Sequence, residues 1–600
     1  MLGKRGEQRG LFEADVQYLA AVGKESFYGF LASVRGELFR DEDFADLYTA
    51  GNGRPSVPPS LLATVLLLQT HDRVSDEEAK ERADFDLRWK VALGITIESH
   101  PFAKSTLQYF RAQLVTNDKA RKIFAKSLGL AKSKGYLAKN RKLRLALDTT
   151  NILGRGAVKD TYNLLSDGIV QLLRQVAKLA DTELQRFATE HGYARYVGER
   201  SLKGGADLDW DNAKERARLL AEIVGDADRV LNQARRALEA LPEERGEEAA
   251  ALTKAAEILS QVLVQDITRR EEGPQLRDGV AKDRMPAAHD PEMRHGRKSA
   301  QKRFDGHKAQ IAVDTEEQFI TAVAVLPGNA PDSEMALAMV EETEANTGAE
   351  VEETIGDCAY GSGATRQEFV AAGRRLVAKV AVTSNAGRFP KTDFKIDLEQ
   401  ETCVCPAGAA GTPRYTKVQN DGDLRKLRGF RFAAALCADC PLRSQCVRGR
   451  GGRSIAIHPQ EALLQQARAF QQSPAFADYR RRRQAAEHRL ARLVQLGLRQ
   501  ARYVGRKKTL FQLLMAATVA NLTLLASKMH QDELANAQSA AIAIALALSL
   551  VTWMALDRLR PGCRPATRGT DSNASLFHPT RHSQYPAKPR FRMAGSRPDF

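Results

Sequence analysis

Apolar residues recur at helical spacing through residues 1–135, as in LLATVLLLQTHDRVSDEEAKERADF, with a break at Gly51–Pro59. Ser75 and Glu78 have the spacing of a capping box. The period then changes. LRLALD (143–148) is a short apolar run that predicts a buried strand carrying Asp148 at its C-terminal tip. Helical spacing returns over roughly 160–268, as in LLRQVAKLADTELQRF, with the mixed charges of solvated faces, and predicts a helical insertion. HKAQIAVD (307–314) and QFITAVAVLPG (318–328) predict a hairpin around Thr315–Glu317. A helix follows over 332–346, then a strand, VEETIGD (351–357), that ends in Asp357. A glycine turn at Tyr360–Gly363 leads into a helix over 365–373, and LVAKVAV (376–382) predicts a fifth strand. Long helices close the pattern over 460–528. Without its insertions the order is strand, hairpin, helix, strand, helix, strand, helix, which is an α/β class.

With 600 residues the chain exceeds one compact core. The expected domains are a helical region (1–135), an α/β region (140–528) with a helical insertion (about 160–268) and a Cys-rich one (about 386–455), and a tail (529–600). The net charge of +16 suits a polyanionic partner, nucleic acid before an acidic membrane. The start, MLGKRGEQRG, lacks an apolar signal core, and seven cysteines are too sparse for a disulfide scaffold, so a cytosolic compartment is expected. Residues 539–556, SAAIAIALALSLVTWMAL, hold no charge over the minimum length of a membrane span. Their Ala and Ser content favours a packed or loosely ordered helix, and a membrane partner is not expected. Residues 557–600, rich in Pro, Arg, Ser and Gly, read as disordered.

Three acids then stand out. Asp148 and Asp357 end neighbouring predicted strands, and Glu487 lies in a late helix. Carboxylates so placed suit two Mg²⁺ or Mn²⁺ ions about 3.5–4 Å apart, the arrangement that drives phosphodiester chemistry. Asp160 lies twelve residues past the first acid and reads as a helix cap, while Glu461 lacks an arginine-rich setting. Arg294, Arg297, Lys298, Lys302, Arg303, His307 and Lys308 form a cation-dense stretch suited to phosphate contacts; the lone His307 reads as structural. Cys405, Cys437, Cys440 and Cys446 include a C-x₂-C knuckle and suit a structural Zn²⁺, with Cys403 able to replace Cys405. Cys358 reads as a buried strand-end thiol.

Three segments carry a family resemblance: LALDTTNILGRGAVKDTYNLL, TIGDCAYGS, and YRRRRQAAEHRLARLVQLGLRQARYVGRKK. Over residues 15–528 the chain resembles the DDE transposases of bacterial insertion sequences. The resemblance implies an RNase H-like mixed sheet with flanking helices, and Asp148, Asp357 and Glu487 as catalytic metal ligands. It also implies a DNA-binding helical N-terminus, binding of double-stranded transposon ends and target, a homodimer at synapsis, and a cytoplasmic, nucleoid-associated place. Many relatives carry Tyr-x₂-Arg-x₃-Glu-x₆-Lys, whose Tyr and Arg grip phosphate. Here Arg483 fits, Tyr479 stands one residue further off, and Val494 occupies the Lys position, leaving Arg499, Arg502, Lys507 or Lys508 as substitutes. The 297–308 cations are similar to the family's Gly-Arg-Lys-Ser segment. A flipped base would stack on Phe, Tyr or Trp210, since Trp89, Trp210 and Trp553 all lie outside the three segments. The alternatives are another RNase H-like nuclease, an inactive transposase-derived DNA-binding protein, or a membrane-tethered factor resting only on 539–556.

Overall fold

A computed structural model describes residues 1–6, 10–49, 53–137, 141–299, 301–382, 385–417 and 425–558. The break at Gly51 and most of the 557–600 tail lie outside the described residues. The chain divides into two compact units, Met1–Gln531 and Asp532–Phe600.

The central sheet of the first unit has six strands: β1 (Leu143–Leu153), β2 (Arg294–Arg297), β3 (Arg303–Asp314), β4 (Ile320–Pro327), β5 (Val351–Gly356) and β6 (Leu376–Ala378). β1 pairs antiparallel with β3 and parallel with β5, and β5 pairs parallel with β6. β2 and β4 pair end to end along the other edge of β3, at Arg303–Gly306 and His307–Val313 respectively. β1 is apolar in its first half because both of its faces are covered. Leu143, Leu145 and Leu147 pack with Ala312, Met339, Val340, Tyr360 and Phe369 on one face. Ala146 and Ile152 turn to the other, with Ile311 and Val313 of β3.

That second face is closed by two sets of helices. Among the described residues, seven α-helices between Ala14 and Ser133 supply Phe30, Leu66, Trp89, Phe110 and Phe124, and the C-terminal helices supply Ala486, Leu490, Leu493 and Leu514. The N-terminal helices therefore share one core with the sheet. Their ends are fixed locally: Glu78 N–H donates to Ser75 Oγ at 3.2 Å and Ser75 N–H to Glu78 Oε2 at 2.7 Å, the reciprocal capping box. The insertion builds a core of its own from Thr161–Leu179, Ala213–Glu239 and Gly246–Asp266, with Leu164, Leu172, Ile223 and Leu259 at its centre. The Cys-rich region folds into a two-stranded and a three-stranded sheet around Phe394, Cys403, Phe430 and Phe432.

Three departures from the sequence reading lie close to the two aspartates. β1 runs on to Leu153, so Asp148 lies within the strand and not at its tip. The fifth strand ends at Ala378, four residues early. Cys358 is exposed rather than buried.

The last helix, Arg506–Arg558, contributes its first part to the first unit's core. Within the second unit Ile542, Leu546, Leu550 and Trp553 are exposed. By length and composition this helix can cross a membrane, with a mean hydropathy of 1.8 over its most apolar window.

Candidate active site

Strand register brings the two aspartates together. Ala146 of β1 pairs with Ile355 of β5, and β5 ends one residue later at Gly356. Two residues on from that pair, the chain carries Asp148 and Asp357, at the point where β1 loses β5 and keeps only β3 beside it. Asp148 is thus placed by where its partner strand ends. Asp357 caps the turn that follows, its Oδ1 accepting from Ala359 N–H at 2.8 Å. Asp148 Oδ1 accepts from Thr149 N–H at 2.8 Å.

The turn demands glycine. A Cβ on Gly356 would lie 2.7 Å from Cβ and Cγ of Tyr360, whose ring is fully buried beneath the turn. These atoms are the fixed base of the side chain. Gly356→Ala is therefore expected to cost about 1–3 kcal/mol by overpacking, read as a lowered urea midpoint.

The helix Phe476–Gln495 lies on the same face, anchored by Ala485, Ala486, Leu490 and Leu493. Its i, i+4, i+8 series runs along the strands. Tyr479 hydroxyl donates to Glu353 Oε2 at 3.0 Å and accepts from Arg375 at 3.3 Å. Arg483 lies 3.6 Å from Asp148 Oδ2 and forms an ion pair with Glu487. Arg483 therefore bridges the first and third acids, while Tyr479 braces the helix near the start of β5. Burial pushes the Asp148 carboxyl up to about 6; the Thr149 N–H and Arg483 oppose this, while Asp357 and Glu487 add to it.

A cavity of about 220 Å³ opens beside the pair, lined by Asp148, Thr149, Thr150, Asn151, Arg297, Lys298, Phe304, Lys308, Asp332 and Asp357. The candidate cations divide into two groups here. Arg297, Lys298, Lys302 and Arg303 are exposed around the β2–β3 turn, where Arg297 pairs with Arg303. Lys308 points inward to Asp332. Arg502 and Lys507 reach the N-terminal helices instead, donating to the carbonyls of Val74 (2.8 Å) and Thr116 (3.1 Å). Arg499 bonds Thr150 Oγ1 at 3.2 Å and the Asn151 side-chain oxygen at 2.5 Å, beside the cavity.

The rival acids have other occupations. Asp160 caps Thr161–Leu179 through the N–H groups of Tyr162 and Asn163. Glu461 is buried between Lys391 and Arg468. His307 is fully buried 3.8 Å from Asp290. Trp210 packs edge-on against Tyr162 within the insertion, under Lys203.

Cys405, Cys437, Cys440 and Cys446 line one cavity of about 220 Å³. Cys405 Sγ accepts Ala409 N–H at 3.3 Å. Burial pushes the Cys446 thiol up; Arg453 opposes this, and Cys437, Cys405 and Cys440 add to it. Cys403 is fully buried behind them, its thiol pushed up to about 11 by burial and then by Cys405. Among the described residues, no three of His, Cys, Asp and Glu stand as a ready metal-ligand set.

Sequence reasoning missed Asp332, and it placed Tyr360 in the glycine turn without its burial. The signal for Asp332 is an acid directly after the hairpin, in Asn329-Ala330-Pro331-Asp332, at the first position of the helix expected over 332–346.

Two family models match the chain. One is a transposase DDE domain over residues 404–526, and the other is a transposase domain (DUF772) over residues 17–113. The first covers the Cys-rich region from residue 404 and the Glu487 helix, the second most of the N-terminal helices. No curated protein and no solved structure matches.

Proposed function

We propose, for a chain whose two matches indicate a bacterial insertion-sequence transposase of the DDE type, that Asp148, Asp357 and Glu487 form the centre at which DNA strands are cut and joined. The observation that carries this reading is the β1–β5 register, which sets two aspartates side by side with Glu487 tied to the first through Arg483. Consecutive neighbours β4, β3, β1, β5 and β6, with β1, β5 and β6 parallel, support an RNase H-like core.

The donor set suits Mg²⁺ or Mn²⁺. It consists of hard carboxylate oxygens, and Asp148 resists ionisation chiefly because it is buried, with Asp357 and Glu487 adding to the effect, so a bound cation would favour its charged form. When bound, two such ions activate the attacking oxygen and neutralise charge on the phosphate and leaving oxygen. Asp148 and Asp357 would hold them, joined by Glu487 once it leaves Arg483. The freed guanidinium is then available to a DNA phosphate, and Arg297, Lys298, Lys302 and Arg303 meet the backbone beside the cavity. Lys308 lies inside the cavity beside them, paired with Asp332. Tyr479, Arg502 and Lys507 hold the Glu487 helix and the N-terminal helices in place around the DNA path. The 17–113 helices recognise element ends, two copies act at synapsis, and the protein works in the cytoplasm on nucleoid DNA.

Strand cleavage of labelled DNA carrying the element's own ends, with Mg²⁺ or Mn²⁺, tests the reading. Metal-dependent nicks at the ends support it; binding without cleavage makes the chain an inactive DNA-binding relative.

The cysteine cavity suits a structural Zn²⁺, provided the four thiols turn into the space they share. The purified chain is expected to carry about one zinc by mass spectrometry. Cys437→Ser with Cys440→Ser should lose it and unfold at lower temperature, and a zinc-free wild type would sink the idea.

A further inference from the structure

The active-site cavity contains a third aspartate that the reading above does not use. Asp332 follows the β3–β4 hairpin and lines the cavity with Asp148 and Asp357. Its Oδ1 lies 2.6 Å from the Lys308 ammonium, which also donates to the Ala330 carbonyl at 2.7 Å. Both side chains are largely covered, at 14% and 24% exposure for Lys308 and Asp332. The loop is itself fixed. Gln310 Nε2 donates to the Asp332 carbonyl at 3.0 Å and to the Tyr360 hydroxyl at 3.2 Å. The Tyr360 phenol is held well above its ordinary value by burial and then by Asp148 and Asp332, with a smaller push from Asp357. The three aspartates therefore surround one small space.

An ammonium in that space has two sets of partners. If Lys308 turned to Asp148 or Asp357, it would occupy the oxygens a divalent cation requires. Its pairing with Asp332, reinforced by a backbone carbonyl, holds it off. We infer that Asp332 is a positioning residue: it retains the Lys308 ammonium and so keeps Asp148 and Asp357 open to divalent cations. This rests on the two-metal reading of the same site. It differs from a role as a further metal ligand, because Asp332 acts only through Lys308.

The test is Mn²⁺ binding to the full chain without DNA, read from the paramagnetic signal of the free ion. Asp332→Asn should weaken Mn²⁺ binding by about tenfold, since a released cation now competes for the carboxylates. Asp332→Asn with Lys308→Met should return to wild-type affinity or tighter. Asp332→Glu, which keeps the ion pair, should bind as wild type and confirm that the loop tolerates substitution. If Asp332→Asn binds as wild type, the inference fails. If the double variant stays as weak as the single one, Asp332 is itself a ligand and the inference also fails. Wild type that binds no Mn²⁺, or binds it equally well after Asp148→Asn, overturns the two-metal reading and this inference with it.

Discussion

Asp148→Asn, Asp357→Asn and Glu487→Gln should each lose about 10³-fold or more of strand cleavage, roughly 4 kcal/mol of transition-state stabilisation, while still binding duplex DNA. The amide variants keep shape and remove charge. An asparagine at 148 can still accept the Thr149 N–H, and one at 357 can still cap the turn through Ala359 N–H, so the backbone around the site survives. Duplex binding should survive for a separate reason: the exposed cations at Arg297, Lys298, Lys302 and Arg303 are untouched, and phosphate contacts dominate affinity. The third variant differs in one respect. Glu487 is half-exposed and held by Arg483, so Glu487→Gln also frees a guanidinium beside Asp148. Its DNA affinity should rise slightly while cleavage is lost. Single-turnover cleavage of labelled element ends, alongside fluorescence anisotropy, separates the two effects. Variants that cut as well as wild type would place the chemistry elsewhere.

The strands that carry the aspartates were legible because LRLALD opens with alternating leucines and VEETIGD is a short run that ends in a glycine turn. The extension of β1 through Thr149–Leu153 was not, since its polar residues pair with β3 alone and leave no hydrophobic signature. β2, read from Arg-His-Gly-Arg, was invisible for the same reason. Helical spacing correctly laid Tyr479, Arg483 and Glu487 along one line. Two turns of helix, about 12 Å, separate its ends, and that distance takes Tyr479 to Glu353. Arg502 and Lys507 looked like free cations because nothing local reveals that the carbonyls of Val74 and Thr116 come to meet them. Asp332 was hidden likewise: its meaning comes from Lys308, on a strand 24 residues earlier. Local patterns gave the elements; partners distant in sequence decided which side chains remain available.

The second large effect concerns stability. Asp148→Asn should be more stable than wild type at pH 7.5 in the absence of divalent ions, by about 2–3 kcal/mol. The folded chain holds this carboxyl at about 6 against an ordinary 3.8, chiefly because it is buried. A raised folded value means that the fold prefers the protonated acid. The contribution of this group to stability is therefore full below pH 3.8, falls as pH rises through 6, and stays low above. Asparagine does not titrate, and every other ionisable group is common to both chains. The stability difference should thus be near zero at pH 3.5, open between pH 4 and 6, and level off beyond. Urea unfolding in EDTA across that range measures it. A difference that does not change with pH would mean that packing, not charge, separates the two chains. Adding Mg²⁺ supplies the positive charge that wild type lacks and should close the gap from the wild-type side, because a cation bound only by the folded state stabilises it. A carboxylate that costs the apo fold stability would then be one its chemistry cannot do without, and a gap that Mg²⁺ leaves unchanged would show that Asp148 holds no ion.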